Sequence, residues 1–211
     1  MLRMGEKGLV KDMQKAEMFF LKAAELGQSD AECHLGLKYH NAPVQSGKNA
    51  REAYKWFLRS ASHGNSAGTM NLGYCYEMGI GTEKNFGLAI DCYRKVAERG
   101  ESEAQYKVAL LLLRKDGVSP EVIRWLKVAS EQKHPGSVTL LAACYEHGDG
   151  VKKNMQEAIR LYKIAIEFND PVAQFALAIA YLRGNGVERN IPQAVDLLKK
   201  ICGTRLCECH V

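Results

Sequence analysis

The sequence predicts an all-α fold in which helix–turn–helix repeats stack into a right-handed α/α superhelical solenoid. The first observation behind this prediction is a small residue that recurs about every 36 residues along the chain. These positions are Gly36, Gly73, Ala109, Ala142 and Ala178. The second observation is a set of side chains spaced four residues apart, which lie on one face of an α-helix and not on a strand.

The first helix of each predicted repeat has a second small residue five positions before the recurring one and a large residue three positions after it. The small residues are Ala31, Gly68, Ala104, Ser137 and Ala173, and the large ones are Tyr39, Tyr76, Leu112, Tyr145 and Tyr181. Small residues allow a neighbouring helix to approach closely, and the large side chain fills the space beyond them.

The second helix of each repeat has its own column of large residues, which we expect to pack against the first helix. The column is Phe20, Phe57, Tyr93, Leu126, Tyr162 and Leu198, and four residues earlier each has a small or β-branched residue. Six second helices against five complete first helices indicate that the chain starts inside a repeat.

Glycine pairs and capping residues mark the ends of these helices. The predicted turns with φ > 0 are Gly79–Gly81, Gly148–Gly150 and Gly184–Gly186. Predicted capping boxes are Ser29…Glu32, Asn49…Glu52 and Asn154…Glu157, and predicted caps before proline are Ser119 and Asp170.

We expect one repeat domain over residues 1–203, followed by a non-repeat tail at 204–211. The domain consists of a half repeat at 1–27 and repeats at about 29–64, 66–100, 102–133, 135–169 and 171–203. A single helix pair cannot bury its apolar face, so the neighbouring pairs must stack on one another.

The turn and second-helix pattern resembles the Sel1-like repeat family, which is close to tetratricopeptide repeats but has a longer turn. The best matches are EHGDGVKKNMQEAIRLY (146–162) and RGNGVERNIPQAVDLL (183–198). The resemblance covers roughly residues 1–203. It implies an adaptor or scaffold role in protein complexes, and the family has no shared catalytic motif to carry over.

Composition and charge favour a reduced chain in the cytoplasm with a protein partner. The formal charge of +5 is mild and its lysines and arginines are interspersed with acidic residues, which argues against a nucleic-acid partner. No apolar run reaches the length of a membrane span, and the N-terminus has no signal-peptide core. Seven cysteines without a repeating position do not suggest a disulfide framework.

The sequence contains no motif typical of hydrolases, zinc proteases or nucleotide-binding enzymes, so we expect no enzymatic activity. The paired glycines link helix to helix and are read as turns. The tail cluster Cys202, Cys207, Cys209 and His210 has ligand types that zinc uses, but Cys207 and Cys209 are closer together than in most structural zinc sites. We therefore expect no metal and no cofactor, with the tail reduced and frayed.

The outward positions of the first helices form the predicted binding face, on the assumption that the repeats pack as in tetratricopeptide proteins. The candidate residues are Leu37, His40, Met70, Tyr74, Glu77, Glu103, Tyr106, Leu110, Leu113, Phe175, Ile179 and Leu182. Met70, Tyr74 and Tyr106 are the expected anchors, and Glu77, Glu103 and Glu146 the charges at the rim. The alternative is that strong curvature packs these side chains against one another as core.

The predicted function is a non-enzymatic adaptor or scaffold that binds a peptide or helix of another protein on its concave face. The alternative is a regulatory subunit, or a fragment of a larger complex or multidomain enzyme. Apolar residues of the last repeat, such as Phe175, Ile179 and Leu182, also allow self-association through exposed terminal repeats.

Overall fold

A computed structural model describes the backbone of residues 15–42 and 47–205, with side chains through residue 201. Within these ranges the regular structure is entirely helical, which confirms the predicted fold class. The helices are α1 (residues 15–25), α2 (Ser29–His40), α3 (Gly47–Ser62), α4 (Ser66–Met78), α5 (Phe86–Ala97), α6 (Ser102–Asp116), α7 (Pro120–Glu131), α8 (Pro135–His147), α9 (Met155–Glu167), α10 (Pro171–Arg183) and α11 (Ile191–Arg205).

The even-numbered helices are the first helices of the predicted repeats, and the odd-numbered ones are the second helices. Their contacts divide the chain into two compact units, and the boundary in the sequence falls between Arg99 and Gly100. The first unit contains α1 to α5, and the second contains α6 to α11. In each unit the most extensive contacts join a first helix to the second helix that follows it.

The recurring small residues lie where a second helix crosses a first helix. A Cβ atom added at Gly73 would lie 2.7 Å from Cε1 of Tyr93, and one at Gly36 would lie 2.5 Å from the ring of Phe57. Only glycine fits under these two rings. In the second unit the equivalent positions are fully buried alanines, Ala109, Ala142 and Ala178.

Two of the second-helix tyrosines also donate a hydrogen bond to a glutamate of the first helix. Tyr93 Oη donates to Glu77 over 2.8 Å, and Tyr162 Oη donates to Glu146 over 2.7 Å. Burial, together with these carboxylates, raises the pKa of both phenols above the usual value. In the other three repeats neither partner is present: the equivalent pairs are Phe57 with His40, Leu126 with Leu113, and Leu198 with Leu182.

The glycine pairs form the predicted turns. Gly79, Gly148 and Gly184 end their first helices with φ of 75°, 87° and 67°. The second glycine of each pair packs against the preceding second helix or its start. A Cβ at Gly150 would lie 2.6 Å from Val118 and 2.9 Å from Ile123, and one at Gly186 would lie 2.5 Å from Met155.

The predicted caps are confirmed at three positions and wrong at two. Ser119, Asn154 and Asp170 each accept a hydrogen bond from the first turn of the following helix. Ser29 instead lies inside α2, whose cap position, Gln28, makes no side-chain cap bond. Asn49 lies inside α3, which begins at Gly47.

Glu32, expected in a capping box, is instead a fully buried carboxylate in the first unit. Its oxygens lie 2.6 Å from Nε of Arg59 and 2.8 Å from Nδ1 of His63, both on α3 or just after it. A buried carboxylate requires such partners because desolvation of an unpaired charge is costly. This cluster joins the start of α2 to the end of α3.

Replacing Gly73 with alanine should destabilise the first unit by about 1–3 kcal/mol, because the new methyl group collides with the Tyr93 ring. The matched control is Gly47→Ala, where nothing lies within 4 Å of the added Cβ and where alanine favours the helix. Urea unfolding followed by circular dichroism measures both. Equal midpoints for the two variants would contradict the packing described at Gly73.

Replacing Tyr93 with phenylalanine should cost about 1 kcal/mol or more, because Glu77 loses the hydroxyl that donates to it. Tyr145→Phe is the control, since the Tyr145 hydroxyl has no hydrogen-bond partner among the described residues. The readout is the urea midpoint at pH 7. An unchanged midpoint for Tyr93→Phe would show that the hydrogen bond contributes nothing to stability.

Candidate partner-binding faces

In the first unit the predicted binding residues lie on α2 and α4, and none of them is fully buried. Leu37 and Tyr74 are each 38% exposed, whereas His40, Met70 and Glu77 are half-buried. The rings of His40 and Tyr74 meet edge to face, with centroids 6.0 Å apart. The structure therefore brings these two side chains together across neighbouring first helices.

Cys33, which occupies the same register position on α2 as Met70 does on α4, is buried instead. Its Sγ lies 3.8 Å from Nδ2 of Asn71 on α4. The face of the first unit is therefore interrupted at this position, where α2 and α4 pack directly against each other.

In the second unit the predicted residues lie on α6 and α10, and again none is fully buried. Phe175 is 54% exposed and Glu103 is also exposed. The half-buried residues are Tyr106, Leu110, Leu113, Ile179 and Leu182. Between these two helices, α8 has Gly136, Thr139, Ala143 and Glu146 at the same register positions.

Tyr106 is part of the packing between α6 and α8 as well as part of the face. Its ring packs against that of His134 at a tilt of 34° with centroids 4.6 Å apart, and a Cβ at Gly136 would lie 2.6 Å from its Cζ. Burial, followed by the charges of Glu103 and Asp170, raises the pKa of its hydroxyl. A glutamate at position 106 would therefore disturb packing, and Phe175 is the better position at which to test binding.

His134 forms an arrangement of side chains that resembles a hydrolase triad. Its Nε2 lies 3.0 Å from Glu103 Oε2, and its Nδ1 lies 3.2 Å from Ser137 Oγ. Ser137 is fully buried, so its hydroxyl cannot meet a substrate. The Nδ1 atom also accepts the backbone N–H of Ser137 over 3.3 Å, which makes His134 the N-cap of α8 and leaves Nε2 as the donor to Glu103.

The three glutamates predicted at the rim all have partners within their own unit. Glu77 and Glu146 accept the tyrosine hydroxyl bonds described above, and Glu103 accepts from His134. Sequence reasoning missed these bonds because the donors come from another helix, 16 to 31 residues away. Their primary contribution is to hold helices together, and they remain at the edge of the faces.

The cysteines of the described core are buried free thiols, Cys33, Cys75, Cys92 and Cys144. Burial raises the pKa of Cys75 to about 12 and that of the other three above the usual value. Such thiols remain protonated and are poor nucleophiles and metal ligands. The described residues contain no group of three or more potential metal ligands, and the tail cluster of Cys207, Cys209 and His210, with the side chain of Cys202, lies outside them.

The family model of the Sel1 repeat matches residues 1–28, 29–65, 66–101, 102–122, 137–167 and 171–202. The chain belongs to the Sel1 repeat family. None of the helices in the described ranges is long and apolar enough to cross a membrane. Sel1 repeat proteins generally mediate protein–protein interactions.

Solved structures of Sel1 repeat proteins resemble most of the chain. The c5321 protective antigen of uropathogenic Escherichia coli, described as displaying an SLR fold, is 27% identical with a TM-score of 0.83, over 89% of this chain and 41% of that one. A Sel1 repeat protein from Oxalobacter formigenes is 25% identical with a TM-score of 0.76, over 90% and 82%.

Curated relatives match a shorter stretch. "DAP3-binding cell death enhancer 1" of Rattus norvegicus is 34% identical over 100 residues, which are 47% of this chain and 19% of that protein. The chitin synthase regulator SKT5 of Saccharomyces cerevisiae is 26% identical over 98 residues, 46% and 14% of the two chains. The matched region thus spans less than a fifth of the length of either relative.

Stability should fall at alkaline pH in a way that depends partly on Cys75. The folded pKa of about 12 lies above the ordinary value of 9.0, so the contribution of the protonated thiol is complete below pH 9 and is lost as pH rises towards 12. The urea midpoint of Cys75→Ala should therefore depend less steeply on pH between 9 and 11 than that of the wild type. Identical pH dependence would show that this thiol does not resist ionisation.

Proposed function

We propose that this chain is an adaptor without catalytic activity of its own, which binds a peptide or helix of another protein on the outward faces of its first helices. The observation that carries the proposal is that these positions present apolar side chains without burying them. Phe175 and Tyr74, one in each unit, are the exposed aromatic residues of the two faces. Aromatic residues are enriched at the centres of protein interfaces.

The names of the relatives support a binding or regulatory role. The rat relative is named for binding DAP3, and the yeast relative is named a regulator of chitin synthase. The second of these favours the alternative that the chain acts as a regulatory subunit or as part of a larger protein. In either case the repeats supply binding surface, and the partner supplies any chemistry.

Three further proposals concern domain organisation, self-association and cellular location. We propose that residues 1–203 form one repeat domain, since each helix pair needs its neighbours to bury its apolar face. Self-association is the competing use of the exposed apolar residues on α10, among them Val172 and Phe175. We propose a cytoplasmic location, in keeping with thiols that are free and buried.

Two face variants, Tyr74→Glu and Phe175→Glu, test the proposed function. Each should lose the partners that the wild-type chain captures, because a charge at an apolar interface core is costly to desolvate. The matched controls are Leu88→Glu and Phe168→Glu, which place the same charge at positions that are each 43% exposed but lie off the faces. Quantitative mass spectrometry of captured proteins compares the four variants with the wild type.

Circular dichroism and size-exclusion chromatography accompany this comparison. The face variants should retain wild-type helicity, because both side chains lie partly in solvent. If the face variants and the controls keep the same partners, binding occurs elsewhere on the chain. If Phe175→Glu converts a dimer to a monomer, the face of the second unit serves self-association.

A further inference from the structure

The second unit carries a trough that runs along α8. The predicted face has four equivalent positions on each first helix. On α6 and α10, which flank α8, these positions have large side chains, whereas three of the four on α8 have small ones. The wall on α6 consists of Tyr106, Leu110 and Leu113, and the wall on α10 of Val172, Phe175, Ile179 and Leu182. The floor consists of Thr139 and Ala143, because the ring of Tyr106 covers Gly136. Side-chain contacts join α8 to each flanking helix, from Tyr106 to His134 and from Thr139 to Asp170.

The dimensions of the trough suit one α-helix. With 13 residues, α8 is about 20 Å long at 1.5 Å per residue. Side-chain contacts place α6 and α10 beside α8, and a helix about 10–12 Å wide laid along α8 lies between the two walls. The wall residues recur every three or four positions, which matches the anchors of an amphipathic helix.

One end of the trough carries the carboxylates of Glu103 and Asp170. Glu103 accepts from the imidazole of His134, and Asp170 accepts from Thr139 Oγ1 over 2.8 Å and from the backbone N–H groups of Val172 and Ala173. No lysine or arginine of the described chain lies within 4.0 Å of either carboxylate.

The surrounding residues add to this charge. Glu101, the cap residue of α6, is exposed at the same end. The basic residues nearest in sequence are Lys133, and Lys107 one turn after Glu103 on α6. The ring of Tyr106, half-buried between Glu103 and the start of α8, offers a surface on which a cation stacks favourably.

We infer that the trough binds an amphipathic helix of a partner protein, whose apolar face lies between α6 and α10 and whose lysine or arginine residues at one end reach Glu103 and Asp170. The inference rests on the proposed function and specifies the chemistry of the partner. Charge complementarity of this kind selects among apolar helices that fit the trough about equally well.

Selection from a displayed library of random 16-residue peptides, with the full chain as bait, tests the inference. We expect the recovered peptides to carry apolar residues at i, i+4 and i+7 and basic residues near one end. Synthetic versions are then titrated by fluorescence anisotropy. Phe175→Glu and, independently, Val172→Glu should weaken binding roughly tenfold or more, since each places a charge on the apolar wall.

The double variant Glu103→Gln/Asp170→Asn removes two charges and keeps the acceptor oxygens for His134 and for the cap of α10. It should weaken the binding of a basic peptide by roughly threefold to tenfold and reduce the salt dependence of that peptide's affinity. The matched control is Glu131→Gln/Glu167→Gln, two exposed glutamates at the ends of second helices. This control should change affinity less than about twofold.

The outcomes separate the two proposals. If no peptide is recovered, or if the recovered peptides bind both wall variants as tightly as the wild type, the trough is not a binding site and the proposed use of this face fails. If the wall variants lose binding but the double variant does not, Glu103 and Asp170 do not recognise basic residues of the partner, while the face remains a binding site. Peptides that gain no helical circular dichroism on binding would overturn the helical partner.

Discussion

The structure depends on the contact between a small residue of each first helix and a large side chain of the following second helix. At Phe57 and Tyr93 that side chain is an aromatic ring, and the first helix has glycine there because an added Cβ would collide with the ring. The contact buries one side of every first helix and turns its opposite side outwards. The candidate binding faces are therefore a consequence of how the core is packed, because outer residues such as Tyr74 and Phe175 remain partly in solvent.

The sequence predicted the features that repeat locally. The column of small residues, the glycine pairs and the caps at Ser119, Asn154 and Asp170 all lie within one helix or one turn, where spacing along the chain determines which atoms meet. The outward positions of the first helices followed from the same periodicity. This is why residues such as Tyr74 and Phe175 could be assigned to a face before any contact was known.

Polar contacts that join one helix to another were not visible in the sequence. Glu32 had the spacing of a capping box, but its carboxylate turns inwards to Arg59 and His63, about 30 residues away. Glu103 had the character of a rim charge, yet it holds the imidazole that caps α8. In both cases a charged side chain acquired its role from a neighbour that the repeat pattern brings close, and one sequence without its fold does not identify that neighbour.

The second glycine of each turn restricts the insertions and deletions that such a chain can accept during evolution. Gly150 and Gly186 pack against the preceding second helix or its start, with no space for a Cβ. This contact restricts the number of residues that the turn can contain. An insertion or deletion of one residue there would displace every contact downstream in the same unit. Gain or loss of an entire helix pair would leave each remaining contact as it is. Variation among relatives should therefore concentrate in repeat copy number, with turn length kept wherever the glycine pair is present, as between α8 and α9 and between α10 and α11.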